Sequence, residues 1–227
     1  MTRNAGVRIP HSVFVTGGTG YIGSRLIPLL AARGHAVHAL ARPGSEVKLP
    51  AGCSAVVGNA LDAATFRDAV RGCDTFVQLV GVSHPSPAKA AEFRSIDLAS
   101  ALASIDAACA AAVRHFVYVS VAQPAPVMRE YVAARSEAET ELCRRLPDCT
   151  VLRPWYVVGP GHYWPVMLRP AYWLLERIPA TSDTAARLGL LTIAQMLEAL
   201  VDAVENPATG ARVLDVPALR AAGRCKE

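Results

Sequence analysis

Thr16-Gly17-Gly18-Thr19-Gly20-Tyr21-Ile22-Gly23 is the stretch on which the fold turns. Directly before it, residues 12–16 form a short β-rich apolar run, Ser-Val-Phe-Val-Thr. Directly after it, Ile22, Leu26, Leu29 and Leu30 recur on one helical face until Gly34 ends the pattern. Gly17, Gly20 and Gly23 therefore sit with the spacing GxxGxxG in a turn from strand to helix. A glycine in the first place permits the tight turn, one in the second lets backbone approach a pyrophosphate, and one in the third lets helix and strand close together. The helix N-terminus beyond adds unpaired N–H groups and a partial positive charge. The loop predicts dinucleotide binding, with Thr16, Gly17, Gly20, Tyr21, Ile22 and Gly23 as its contacts.

The alternation continues outward from this unit. Apolar strands are predicted at residues 36–41, 55–57, 74–80, 113–120 and 150–153, with helices at 62–71, 87–112 and 127–146 between them. The strands read as continuous apolar runs, the pattern of strands covered on both faces, so a parallel sheet between two helical layers is expected. Residues 154–190 break the pattern with five prolines and all three tryptophans. An amphipathic helix at 192–205 and a strand at 212–216 close the chain. The expected fold class is α/β, a doubly wound parallel-sheet Rossmann fold with a small C-terminal lobe. Residues 1–11 read as a polar leader, 12–153 as the dinucleotide-binding core, and 154–227 as a small substrate or interface lobe packed with the core as one domain.

The 227 residues are 52% hydrophobic and 19% charged, which suits one folded domain and excludes disorder. No apolar run approaches the ~18 to 20 residues of a spanning helix, and the opening residues lack the apolar core of a signal peptide, so a soluble, cytoplasmic protein is expected. The six cysteines form no CxxC pair and the six histidines are dispersed, so neither a metal site nor a disulfide framework is expected. A net charge of +4 without a dense basic run argues against nucleic acid as a partner.

Twenty residues past the glycine loop, the second strand ends in Arg42. An acidic residue there would suit the ribose 2′-hydroxyl of NAD, whereas arginine accommodates a 2′-phosphate, so NADP(H) is expected, with NAD possible. The alternative for Arg42 is a solvated side chain before the Pro43-Gly44 turn.

Taken together these blocks resemble the short-chain dehydrogenase/reductase superfamily, in particular its extended, atypical NAD(P)-binding branch, which includes epimerase/dehydratase-like and NmrA-like members. TGGTGYIG is similar to its TGxxGxxG signature. Gly58-Asn59-Ala60-Leu61-Asp62 resembles the stretch beside the adenine, with Asn59 where the family often has Asp. Leu79-Val80-Gly81 resembles the strand end that passes the cofactor ribose, and Leu152-Arg153-Pro154 with Val158-Gly159-Pro160-Gly161 resembles the block at the nicotinamide end. The resemblance thus adds Asn59, Ala60, Leu79, Gly81 and Pro154 to the cofactor contacts.

The resemblance also implies a catalytic group of Ser120, Tyr131 and Arg135. Ser120 ends the fifth strand, and Tyr131-Val-Ala-Ala-Arg135 stands where the family has Tyr-x-x-x-Lys. The i, i+4 spacing puts Tyr131 and Arg135 on one helical face. Tyrosine would exchange a proton with a carbonyl or alcohol, Ser120 would hold the oxygen, and Arg135 would support phenolate and nicotinamide ribose. Arginine does not release its proton as lysine does, so the departure weakens turnover more than binding. Arg135 also has Glu139 one turn away as a possible partner, and Glu137, Glu139 and Glu141 read as solvent-face residues.

Trp155, Tyr156 and Trp164 are the candidate substrate contacts, for an apolar ligand; aromatic packing or a subunit or protein interface is the competing explanation. The function expected is an NADP(H)-dependent oxidoreductase on a small, rather apolar carbonyl or alcohol. The alternative is a dinucleotide-binding regulatory or accessory protein without turnover, and sugar-nucleotide isomerase or dehydratase chemistry ranks third.

Overall fold

A computed structural model describes residues 10–125, 127–161 and 187–222. Seven strands form one sheet in the order β3-β2-β1-β4-β5-β6-β9: β1 Ser12–Thr16, β2 Ala36–Ala41, β3 Ser54–Val57, β4 Thr75–Gln78, β5 His115–Val119, β6 Cys149–Leu152 and β9 Ala211–Leu214. Every ladder is parallel. The strand order reverses between β1 and β4, which opens a crevice at the carboxyl ends of those strands where α/β folds take their ligands.

Strand periodicity divides the core in two. Val13, Val15, Val77, Val117 and Val119 point to one face, under α1 (Gly23–Ala32) and α5 (Ile193–Glu205). Phe14, Phe76, Phe116 and Tyr118 point to the other, under α3 (Ala99–Ala110) and α4 (Arg129–Arg145). On that second face Phe14, Phe76 and Phe116 form a ladder across three strands, with ring centroids 5.2 and 5.0 Å apart. The buried alanines of α3, among them Ala101, Ala107 and Ala108, let the helix lie close over these rings. α5 begins with a capping box in which Thr192 and Gln195 satisfy each other's backbone N–H groups.

The structure differs from the sequence reading in several places. Residues 62–71 form two short 3₁₀ turns, Ala63–Thr65 and Arg67–Val70. The helix expected at 87–112 is divided: a 3₁₀ turn at Pro87–Lys89 leads into α2 (Ala90–Glu92), a π-helical segment at Phe93–Leu98 and then α3. β3 is largely exposed because it is an edge strand with one neighbour. A second, two-stranded parallel sheet pairs β7 (Tyr156–Val158) with β8 (Leu190–Thr192), and a last helix, α6 (Val216–Ala222), follows β9. No helix among the described residues is long and apolar enough to cross a membrane. The five described cysteines are free, and no group of three metal-ligating side chains occurs among the described residues.

Candidate dinucleotide site

The glycine loop follows β1 and closes on itself. Gly17 lies at φ +75°, and a Cβ there would come 2.9 Å from the Leu79 carbonyl carbon. Gly23 has no room for a side chain, because a Cβ would overlap the Gly17 carbonyl oxygen. Gly20 meets nothing nearby except that oxygen, so its outer face is clear for a phosphate to approach. The tight turn at Gly17 and the close packing at Gly23 follow from this geometry, and Gly20 leaves room beside the loop.

The loop forms one wall of a cleft of about 460 Å³. Gly17, Thr19 and Gly20 face Leu40, Arg42 and Ser45 at the end of β2, Gly58 to Leu61 after β3, and Leu79 to Ser83 after β4. Arg42 is exposed, and its guanidinium makes no ion pair or hydrogen bond among the described residues. The Asn59 side chain accepts the Leu61 N–H at 3.1 Å, forming a turn that brings Ala60 and Leu61 to the cleft. Among the predicted contacts, Gly17, Gly20, Arg42, Asn59, Ala60, Leu79 and Gly81 line this space.

Thr16, Tyr21, Ile22, Gly23 and Pro154 are not among the residues that line the cleft. Thr16 is fully buried and donates from its hydroxyl to Gln78 Oε1 at 3.1 Å, tying β1 to β4. Arg25 lies 4.2 Å over the Tyr21 ring, and a Cβ on Gly159 would be 2.6 Å from the Tyr21 hydroxyl. Ile22 and Gly23 serve the seam between loop, α1 and sheet. Pro154 is buried, and its carbonyl accepts the Ala122 N–H at 2.9 Å.

The catalytic candidates come from β5 and α4. Tyr131 is half-buried on the first turns of α4, its ring 4.9 Å from Phe93 and with the Arg135 guanidinium carbon 5.3 Å from its centroid. Its hydroxyl makes no hydrogen bond among the described residues. Ser120 is buried and donates its hydroxyl to Glu139 Oε1. Arg135 is buried as well: it is ion-paired with Asp97, donates to the Val119 carbonyl at 2.8 Å and lies 3.5 Å from the Tyr118 hydroxyl. Burial opposes the charge on Arg135, but Tyr131, Tyr118 and Asp97 together outweigh it and raise its pKa. Burial pushes the Tyr118 phenol up to about 12, although Arg135 draws it down.

Glu139 corrects the solvent-face reading. It is buried and holds Ser120, Gln123 and Arg153, with Arg153 Nη2 2.5 Å from Oε2. Arg135 accordingly has Asp97 as its partner, not Glu139. A charge pattern on one helix does not show acids and bases arriving from β6 and from the π-helical segment. Three residues absent from the sequence reading, Gln78, Asp97 and Ser100, are fully buried polar groups beneath the cleft. The signal available for them was a Gln ending a buried strand and an Asp in an apolar helical run.

On the substrate side, Trp155 and Tyr156 are half-buried and meet edge to face, with centroids 5.7 Å apart. Trp164 lies outside the described residues.

The NAD(P)H-binding family profile matches residues 17–161, so the chain belongs to that family, and its fold is that of the extended, atypical short-chain dehydrogenase/reductases. It is similar to a ceramide reductase of Caulobacter vibrioides, with 24% identity over 87% of this chain and 62% of the relative. It is also similar to 4-hydroxy-2-methyl-3-oxo-4-farnesyl-3,4-dihydroquinoline-1-oxide ketoreductase of Stigmatella aurantiaca, with 32% identity over 47% of this chain and 32% of that protein. The chain thus spans less than two thirds of the length of either curated relative. Among solved structures, the Bordetella bronchiseptica enzyme WbmH in complex with NAD+ superposes with a TM-score of 0.67 at 22% identity, covering 90% of this chain and 75% of that one. A nicotinamide dinucleotide is the cofactor class of this chain.

Proposed function

We propose that the chain is an NADP(H)-dependent reductase acting on the carbonyl of an apolar substrate. The observation that carries the cofactor half is the cleft itself, with a glycine cradle at one end and, at the mouth, an exposed Arg42 that has no ion pair or hydrogen bond among the described residues. The residues fit the cofactor: Gly20 leaves space for a pyrophosphate, Leu40, Ala60 and Leu61 offer an apolar slot for a base, and Arg42 suits a 2′-phosphate.

When bound, NADPH supplies the hydride that reduces the carbonyl carbon. Tyr131 would give its hydroxyl proton to the carbonyl oxygen, and solvent would restore that proton. The Arg135 guanidinium carbon lies 5.3 Å from the centre of that ring, a positive charge beside the group that would give up the proton. The oxygen-holding role for Ser120 requires its hydroxyl to leave Glu139. Trp155 and Tyr156, with Trp164, would offer the apolar surface of a substrate lobe spanning residues 154–227. The two curated relatives carry names of reductases, which supports this reaction class.

A second reading, a dinucleotide-holding regulatory or accessory protein, is favoured by one observation. Ser120 and Arg135 are already engaged by Glu139 and Asp97. Tyr131→Phe separates the two. Against a panel of aliphatic and ring-containing ketones, wild-type protein should oxidise NADPH. The variant should turn over about a hundredfold or more slowly, since positioned acid–base groups contribute about 10²–10⁴, with NADPH affinity unchanged. Turnover undiminished in Tyr131→Phe would overturn the assignment, and tight NADPH binding with no turnover in wild type would favour the second reading.

A further inference from the structure

The cleft wall made by Val80, Gly81 and Val82 rests on a continuous run of buried polar groups. Gln78 Oε1 accepts the Thr16 hydroxyl and also the Val80 N–H, at 3.1 and 2.5 Å. Gln78 Nε2 donates to Ser100 Oγ at 3.2 Å, and Ser100 donates to the Asp97 carbonyl at 3.1 Å. Asp97 then divides its carboxylate between two tasks. Oδ2 accepts the Val82 N–H at 3.0 Å, and Oδ1 pairs with Arg135 Nη2. The guanidinium fills the space a side chain on Gly81 would need, so it lies directly against the loop backbone. Its other arm is fastened to the Val119 carbonyl at the end of β5.

The π-helical segment explains how these groups meet. Phe93 and Asp97 are four apart on that segment, as Tyr131 and Arg135 are on α4, and the two pairs face each other: Phe93 on Tyr131, Asp97 on Arg135. Such segments recur at functional sites. The Asp97 and Arg135 side chains are 0% and 6% exposed, and an ion pair so buried stabilises a fold no better than well-packed apolar residues would. What it supplies here is the placement of three consecutive cleft-lining residues.

We propose that Asp97 is a positioning residue for the dinucleotide, and that Arg135 is committed with it to holding residues 80–82 in place, not to contacting the cofactor. The proposal rests on the cofactor cleft described above. It explains the arginine where the resemblance calls for lysine: the planar fork serves Asp97 and the Val119 carbonyl from two separate nitrogens, where lysine would have to serve both from one.

The test is an NADPH titration followed by nicotinamide fluorescence, with wild type, Asp97→Asn and Arg135→Lys each held well below its own thermal midpoint. Asp97→Asn keeps an acceptor for Val82 but leaves the guanidinium without its counter-charge. Arg135→Lys keeps the charge and is the variant most certain to fold. Both should raise the NADPH Kd about tenfold. A merely structural role would lower the thermal midpoint and leave the Kd of the folded molecules unchanged, and that result would overturn the proposal. So would Arg135→Lys binding NADPH as tightly as wild type or more tightly, which would restore a direct cofactor contact at this position. Wild-type protein that binds neither NADPH nor NADH would instead overturn the cofactor cleft and the proposal with it.

Discussion

The two halves of the sheet handle polar groups in opposite ways. Around β1, β2 and β3 the cleft is lined by loop backbone and short local turns: Gly20 and Asn59 are held by hydrogen bonds within their own loops, and the exposed Arg42 has no ion pair or hydrogen bond among the described residues. Around β4, β5 and β6 the polar side chains are buried and engaged with each other, Gln78 with Thr16 and Ser100, Asp97 with Arg135, and Glu139 with Ser120 and Arg153. On the proposed function the first half would receive the cofactor's phosphates, and the second half holds the cleft in shape. Changes at an exposed cleft residue such as Arg42 should then spare stability, while changes at the glycine seam or in the buried networks should not.

The sharpest way to break this contrast is at the seam. Gly23→Val places a branched side chain against the Gly17 carbonyl, and removing the close approach of loop and helix should cost about 3 kcal/mol or more, abolishing NADPH binding about a hundredfold or beyond. Retained binding in a titration of the folded variant would mean the loop is not the phosphate site.

The supporting half should also show itself in acid. His115, in β5, is buried, and burial with the nearby Arg212 pushes its imidazole down to about 4. Its folded pKa lies below its unfolded one, so the unfolded chain binds the extra proton as pH falls from 6.5 toward 4. Stability is present in full above that window and is lost through it, by up to about 3 kcal/mol. Urea denaturation at pH 7 and pH 5 reads the loss, and His115→Asn should flatten it.

Glu139→Gln should cost somewhat less. It leaves Arg153 without its carboxylate, but the Arg153 side chain is 27% exposed and water offsets part of the loss, so about 2 kcal/mol is expected. Chemical denaturation checks the value. An unchanged midpoint would return Glu139 to the solvent face that the helical charge pattern suggests.

The smallest effect belongs to the open half. Arg42→Ala should weaken NADPH about tenfold, leave NADH unaffected and leave the denaturation midpoint where it was, because one exposed phosphate contact is worth about 1.4 kcal/mol. Equal weakening of both dinucleotides would remove the 2′-phosphate role.

The parallel sheet and the glycine cradle were legible in the chain because both rest on local pattern. Continuous apolar runs mark buried strands, and three glycines at fixed spacing mark a turn with no room for side chains. The polar networks were not legible for the opposite reason. Arg135 and Glu139 are neighbours on one helix, and their spacing suggests a pair. Each instead takes a partner from another element, 38 or 14 residues away: Asp97 in the π-helical segment and Arg153 just after β6. Glu139 looks solvated in a helix rich in charge because nothing local announces that β6 will carry an arginine over it. Thr16 shows the same limit: its place beside the glycines is local, but the strand alternation turns its hydroxyl inward to Gln78.

Calorimetric titration of the wild-type chain with NADPH and then with NADH decides whether the glycine-loop cleft takes NADP(H). Saturable one-to-one binding of both is expected, with NADPH tighter by about tenfold. Heat from neither titration, or tighter binding of NADH, would rule that function out.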